Sequence, residues 1–527
     1  MSRYFYLLLT VYLIAVSSSL SAQDYIRQRY DRQRIIMPVL GSGCNNLDSS
    51  NHVYINGVRF DFRSDSLQMI AVDTFVSHAI IPYYTINEAA QICNKQGQIA
   101  AYFNGGELWN RNEHKIIIDM FRYASSTMNF ALAYNYNSCL ILPMPHSESQ
   151  YVLIGTDDYH YDRIYGVEVG EQLSAVYFDE LSDGSLSISR LDSNLHQSSY
   201  TKNGAVTACR HANGRDWWVV SPKRWGTYFN VFLLEPGGLR FSHESTVADT
   251  IFDAGYAPEF SPDGRWYTRT RVEHLTQYKK KNFVQFFPFD RCSGTFGAPF
   301  VLRMPQEDTT SIGQAWFDAT SRYVYFATCS SLFQADMWAA DIQASLVKVS
   351  GYDHSLHDSG GFLCMGYGFL APDGKAYIVD GRNNFRTTVV HNPSARGLAC
   401  DARYAELVKP SCSGSALGNM PDFNLGPEDG TLCDSLGLDA VSIHRSSTAS
   451  APLTISPSPT TGDCTVMLPS QGGSLTVYDA QGAIRAAFTI QTYQMEQALS
   501  LPLGVYYVAY RSTDGFINAG GKVVVIR

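Results

Sequence analysis

Charge is scarce in this chain. Asp, Glu, Lys and Arg make up 17% of 527 residues, and the formal net charge is −9. Long amphipathic helices need charge along a wet face, and almost no stretch here offers the 3.6-residue period, so a helical bundle is excluded. The acidic balance and the lack of a broad Lys/Arg stripe exclude a nucleic-acid surface. The one basic run, Lys279-Lys280-Lys281, reads as a solvated hairpin tip. Spanning a bilayer takes about 20 apolar residues, and no stretch after the first 22 offers them. A Gly-rich phosphate loop, an H-E-x-x-H helix and a nucleophile-elbow pattern are also missing. The 11 cysteines include no C-x-x-C pair.

Aromatic residues, by contrast, are abundant, with 33 Tyr, 28 Phe and 7 Trp. Runs such as "HVYINGVRF", "YVLIGTDD", "DWWVVSP" and "RYVYFATC" are β-branched and aromatic and are bounded by turn residues, as strands are. Two segments 110 residues apart, "PEFSPDGRWYTR" and "GFLAPDGKAYIV", share one plan. In Pro262-Asp263-Gly264, Pro presets φ for a type I turn, Asp suits the next position, and Gly takes the left-handed conformation that completes a bulged hairpin. Phe260 and Trp266 are then expected to meet across the two strands, and the Asp373-Gly374 copy does the same between Phe369 and Tyr377. Further bends fall at 97, 148, 214 and 321, giving a spacing of 50–66 residues between successive bends. That is close to the length of a four-stranded propeller blade. With the strand-like front, six bends predict seven blades, six being the alternative. The last strand is expected to pair with the first blade. Trp109, Trp217, Trp218, Trp225, Trp266, Trp316 and Trp338 are spread along the body as a repeating core would use them, a sugar-binding face being the alternative.

The ends read differently. Arg3, an apolar run from Tyr4 to Val16 and "SSSLSAQD" have the three parts of a secretory signal peptide, with cleavage expected after Ala22. The expected body is 23–440, followed by a Ser-rich linker (441–452) and a β-sandwich (453–527). The fold class is thus all-β: a seven-bladed β-propeller followed by a small immunoglobulin-like sandwich. In the sandwich, "PSPTTG" supplies Pro457, Pro459 and Gly462. "VYDAQG" supplies Tyr478, Asp479 and Gly482. "LPLGVYYV" supplies Leu501, Pro502, Gly504, Val505 and Tyr506, and Lys522 opens the closing "KVVV". In this order the motifs resemble the C-terminal sorting domain of type IX (Por) secretion substrates of Bacteroidota, with Ser458 where that family usually has Asn. The resemblance implies export through the Sec translocon, then recognition by the type IX machinery and its sortase-like peptidase. It also implies removal of the domain, and release of the passenger or its attachment to surface lipopolysaccharide. The body resembles a family of exported Bacteroidota propellers through "YFNGGELWNRN", "TACRHANGRDWWVV", "FPFDRCSGTFGAPFVL", "FLAPDGKAYIV" and "HNPSARGLAC". That likeness implies the fold and carries no site residues.

Two clusters offer metal donors: Asp157, Asp158, His160 and Asp162 in "GTDDYHYD", and His354, His357 and Asp358 in "DHSLHD". Neither has a diagnostic ligand spacing, and polar inter-strand loops explain both more simply. No cofactor is expected, a structural divalent cation at such a loop being left open as the alternative. His211 reads as a hydrogen-bonded structural residue. Export makes disulfides feasible, and Cys400, Cys412 and Cys433, clustered at the end of the body, are the candidates to clamp it shut. The sequence therefore points to an exported binding module for a glycan, peptide or envelope protein, at the outer-membrane surface or outside the cell. The alternatives are a propeller-type hydrolase or lactonase and a structural or adhesive surface component.

Overall fold

The computed structural model describes residues between 30 and 526, leaving aside 1–29 and several internal stretches, the longest being 78–89, 118–138, 352–364 and 437–452. The expected signal peptide and the whole of the expected linker lie outside the described residues. The chain forms two compact units, Met1–Ser442 and Ile443–Arg527. The fold is all-β: among the described residues every regular element is a strand except one 3-10 turn, Gly397–Cys400. No helix among them is long and apolar enough to cross a membrane.

The first unit repeats one device. Among its described residues are seven antiparallel sheets of four or five strands, in chain order, and one two-stranded ribbon. The innermost strands of the second to seventh sheets are Ala90–Cys93, Cys139–Pro143, Thr207–Arg210, Glu259–Phe260, Ile312–Phe317 and Met365–Leu370. The first sheet is built from both ends of the unit. Gln33–Met37 pairs with Val53–Asp61 on one side and with Ala416–Leu417 on the other. The expected pairing of a last strand with the first sheet is therefore present.

Turn chemistry explains the repetition. Each inner strand bends into its neighbour through a left-handed residue: Gly97, Gly214, Gly264, Ser321 and Gly374, with φ between 60° and 80°. In the third sheet that residue is His146 (φ 68°), two positions before the expected bend. Asp263 Oδ1 accepts from the Arg265 amide (3.0 Å), and the Gly264 amide donates to Ser261 O (2.7 Å). The two Pro-Asp-Gly copies nonetheless close differently. Ala371 pairs with Lys375, but Ser261 pairs with Trp266, one residue further on. Phe369 therefore meets Tyr377 as expected, with ring centroids 5.8 Å apart. Phe260 faces Tyr267 instead of Trp266, which turns to the other side of the sheet and packs on Phe300. A one-residue change of register moves a side chain to the opposite face.

Packing passes from sheet to sheet. One cluster spans the second, third and fourth sheets, and others join fourth to fifth, fifth to sixth, and sixth to seventh. Phe60 and Phe62 of the first sheet pack on Phe369 and Tyr377 of the seventh. Gln33 joins first to second: its amide donates to Cys93 Sγ (3.2 Å), and its Oε1 accepts from Ile99 N (2.9 Å). Trp109, Trp217, Trp218 and Trp316 are buried, as a repeating core requires, whereas Trp338 is 44% exposed. Trp225 lies outside the described residues.

In the second unit, a three-stranded sheet (Ile455–Ser456, Asp463–Met467, Glu496–Ser500) accompanies a four-stranded one (Ile484–Ile490, Gly473–Asp479, Gly504–Ser512, Asn518–Val525). Both sheets contribute to one core, including Val466, Leu499, Leu475, Val477, Val508 and Val523. Alternating burial along Gly473–Asp479 and Asp463–Met467 is the mark of strands with one dry face.

Candidate functional site

One set of interacting polar side chains in the first unit includes Arg34, which is buried, and the half-buried Glu259 and Gln314. Arg34 sits on Gln33–Met37, and its guanidinium lies 4.1 Å from the ring centroid of Phe369, on the inner strand of the seventh sheet. Burial lowers its pKa to about 10, while Asp31, Glu259 and Cys93 pull the other way. Glu259 comes from the inner strand of the fifth sheet, and its Oε2 accepts from Gln314 Nε2 of the sixth (2.9 Å). Burial pushes the Glu259 carboxyl up to about 8, against the pull of Arg34 and the Gln314 hydrogen bond. Asp422 is pushed up to about 6 and Asp31 is raised, in both cases chiefly by burial. Desolvation disfavours the charged form of a carboxyl, which is the direction of all three shifts. These groups remain half-buried, not sealed.

The segment after Leu417 runs alongside this cluster and binds one sheet after another. Asn419 bridges Ala90 of the second sheet, and its Nδ2 donates to Cys139 O (3.1 Å) and Val206 O (2.7 Å). Phe423 packs on Tyr30 and Trp217, with centroids 5.4 and 5.8 Å apart, and its carbonyl accepts from Arg210. Arg291 donates to Gly426 O, and Glu428 N donates to Ala212 O. Cys433 then forms a disulfide with Cys292 in the turn after Lys280–Asp290 (Cα–Cα 5.6 Å). The expected clamp thus has a different partner: Cys433 bonds Cys292, and Cys400 is a buried free thiol. The fold of the 141 intervening positions, not closeness in sequence, brings 292 and 433 together. Cys412 lies on Ala402–Ser413, and nothing is described of its side chain.

The sequence-predicted metal groups gain nothing here. Asp157 and Asp162 lie on strands, with undescribed side chains, and Asp158, His160, His354, His357 and Asp358 lie outside the described residues. Among the described residues no group of three or more His, Cys, Asp or Glu is placed to hold a metal. His211 accepts from the Asn213 amide at Nδ1 (2.9 Å) and packs on Trp218, and burial lowers its pKa. That is a turn-structuring role.

The motif residues of the second unit divide by face. Tyr506 is buried, and Asp479, also buried, is bonded by Arg485 Nε (2.7 Å). Pro457, Pro459, Pro502 and Lys522 are exposed. Tyr478, Tyr507 and Lys522, from three separate motifs, align across three neighbouring strands. Gly462 and Gly504 have φ of 149° and 156°. Leu501 packs in the core, Val505 pairs with Val524, and Gly482 lies outside the described residues.

Arg34, Glu259, Gln314 and Asp422 were missed from sequence because they are scattered over nearly 400 residues with no shared spacing. The available signal was weak: a charged residue at each of two positions flanked by apolar strand residues, "QRIIM" and "PEFS".

No family model matches the chain, and no curated protein does. Solved structures do. A proposed 6-phosphogluconolactonase of Bacteroides uniformis is 12% identical over 72% of this chain and 98% of its own, with a TM-score of 0.41. The periplasmic gluconolactonase PpgL of Pseudomonas aeruginosa is 13% identical over 73% of this chain and 97% of its own, with a TM-score of 0.39. PorZ, an essential surface component of the type-IX secretion system of Porphyromonas gingivalis, is 11% identical over 91% of this chain and 64% of its own, with a TM-score of 0.35.

Proposed function

We propose that this chain is an exported, seven-bladed propeller that works as a binding module and carries a removable type IX sorting domain at its C-terminus. The observation that supports this best is the separateness of the second unit. Residues 453–526 bury their own core, and the sorting-like motifs fall wholly within them. A detachable label needs this property, because its removal must not unfold the passenger. The aligned Tyr478, Tyr507 and Lys522, of which Tyr478 is half-buried and the other two are exposed, supply a surface that a receptor can read without disturbing that core. The signal peptide delivers the chain to the periplasm, and the type IX machinery with its sortase-like peptidase carries it to the outer surface. There it is released or attached to lipopolysaccharide.

Binding is favoured over hydrolysis by what the group around Arg34 and Glu259 contains. A guanidinium, an amide and three carboxyls can orient a polar ligand. Covalent catalysis would add a nucleophile held by a base, whereas among the described residues Glu259 is bonded by the amide of Gln314 and Arg34 lies against the ring of Phe369. The test is export of a reporter. A periplasmic reporter fused ahead of residues 441–527 should reach the surface of a Bacteroidota cell with an intact type IX system and stay in the periplasm of a strain lacking it. Equal surface delivery in both strains would refute the sorting role.

A further inference from the structure

The chain leaves the first unit along a line of contacts that can be undone one at a time. Counting back from the expected linker, the Glu428 amide donates to Ala212 O (2.8 Å), and Arg291 donates to Gly426 O. Arg210 donates to Phe423 O (3.3 Å), and Asn419 donates to Val206 O and Cys139 O. Next comes Ala416–Leu417, which joins the two ends of the unit through two described residue pairs, Ile36 with Leu417 and Met37 with Ala416. Each hydrogen bond is weak by itself. A pull from the C-terminal side meets them in series, strips them singly and then parts the ends of the unit.

One covalent bond interrupts that line. Cys433 is joined to Cys292, whose turn is held from several sides. Asp290 Oδ1 accepts from the Cys292 amide (2.8 Å), and Asp290 O accepts from the Gly294 amide (2.8 Å). Arg291 O accepts from Trp218 Nε1 (2.7 Å) and the Ala212 amide (3.0 Å), and Arg291 Nε donates to Arg210 O (2.9 Å), which ties the turn to the fourth sheet. The strand before the turn, Lys280–Asp290, pairs with Trp266–His274 along its whole length.

We propose that the Cys292–Cys433 bond is a mechanical stop, which keeps tension on the tail from peeling the first unit open. Tension entering at residue 434 passes through the bond into the turn at 292, so residues 293–432 are left out of its path. Those residues include the inner strands of the sixth and seventh sheets, the contacts from Asn419 to Glu428 and the closing pairs. The idea rests on the export reading for the source of the pull, since the second unit is what the secretion machinery grips. It differs from ordinary stabilisation, because a stop protects against one direction of pulling and not against others.

The full chain, held in optical tweezers, is pulled between a handle at the exposed turn residue Gly237 and one at the C-terminus. Unfolding of the second unit is expected in every case. In the parent, no further step should precede rupture of the first unit. In Cys433→Ser, an earlier step at lower force should appear as residues 416–433 come away and release up to about 60 Å of chain. Reducing the tethered parent should produce the same step, which covers the case of a variant that folds poorly. Pulled between the N-terminus and Gly237, a path that includes neither cysteine, the parent and Cys433→Ser should rupture at the same force. The proposal is overturned if the oxidised parent shows the early step or if the reduced parent lacks it. It is also overturned if loss of the bond lowers the rupture force equally in both geometries. No cell takes part in these measurements, so their failure is distinct from failure of the reporter fusion that tests export.

Discussion

Replacing Asn419 with alanine asks whether the segment after Leu417 ties the sheets of the first unit together. Asn419 is 6% exposed, and its side chain reaches Cys139 O and Val206 O, backbone groups of the third and fourth sheets, while its own backbone bridges the second. Alanine keeps the bridge and removes both side-chain bonds. Two buried hydrogen bonds contribute about 1 kcal/mol each, and more where a carbonyl is left dry, so the expected loss is about 2–4 kcal/mol. That is a large fraction of a domain's stability, on the order of 5–15 kcal/mol. All seven tryptophans precede residue 339, so tryptophan fluorescence during urea unfolding of the full chain reports the first unit alone. The midpoint should fall with no change in slope. A shift below about 0.5 kcal/mol, the size expected of an ordinary surface substitution, would refute the bridging role.

Three further outcomes are expected. Cys292→Ser should cost the first unit about 2–5 kcal/mol, because the Cys292–Cys433 bond closes a loop of 141 residues, and reductant should have the same effect on the parent and none on the variant. Gly313→Ala and Gly368→Ala should each destabilise by about 1–3 kcal/mol or more, since an added Cβ would lie 2.0 Å from Gly366 O and 1.9 Å from Trp316 Nε1. Gly426→Ala, which meets nothing within 4 Å, should be near neutral in the same denaturation assay. Stability should also fall as pH rises. Glu259 has a folded pKa of about 8 against an ordinary 4.5, so the native state holds the extra proton between those values. Its contribution is complete below about 4.5 and lost as pH passes 8. Asp422 acts in the same sense up to about 6. Glu259→Gln should flatten the upper part of this profile, and an unchanged slope would count against the buried, protonated carboxyl.

Local chemistry was legible in the sequence, and long-range convergence was not. Gly97, Gly214, Gly264 and Gly374 announced their hairpins because only a residue tolerant of positive φ turns the chain there. Ser321 held the worn copy, with Asp318 Oδ1 accepting from Tyr323 N (2.7 Å) in support. His146 was misplaced by two residues, since a left-handed His has no strong sequence mark. The Phe260–Trp266 pairing failed because loop length, not motif, sets register. Arg34, Glu259 and Gln314 meet only when the sheets close on one another, and neither the pattern of one strand nor the spacing of one motif encodes that meeting. The partner of Cys433 was hidden for the same reason. The second unit could be read further, because its strands alternate and its motifs are local.

The most direct test of an exported propeller with a detachable tail is the intact mass of the protein recovered from the cell surface or medium. The expected product begins near Gln23 and ends within the stretch before Leu453, with the Cys292–Cys433 bond intact. A surface or extracellular product that retains the sandwich through Arg527, or one still carrying the first 22 residues, would contradict it.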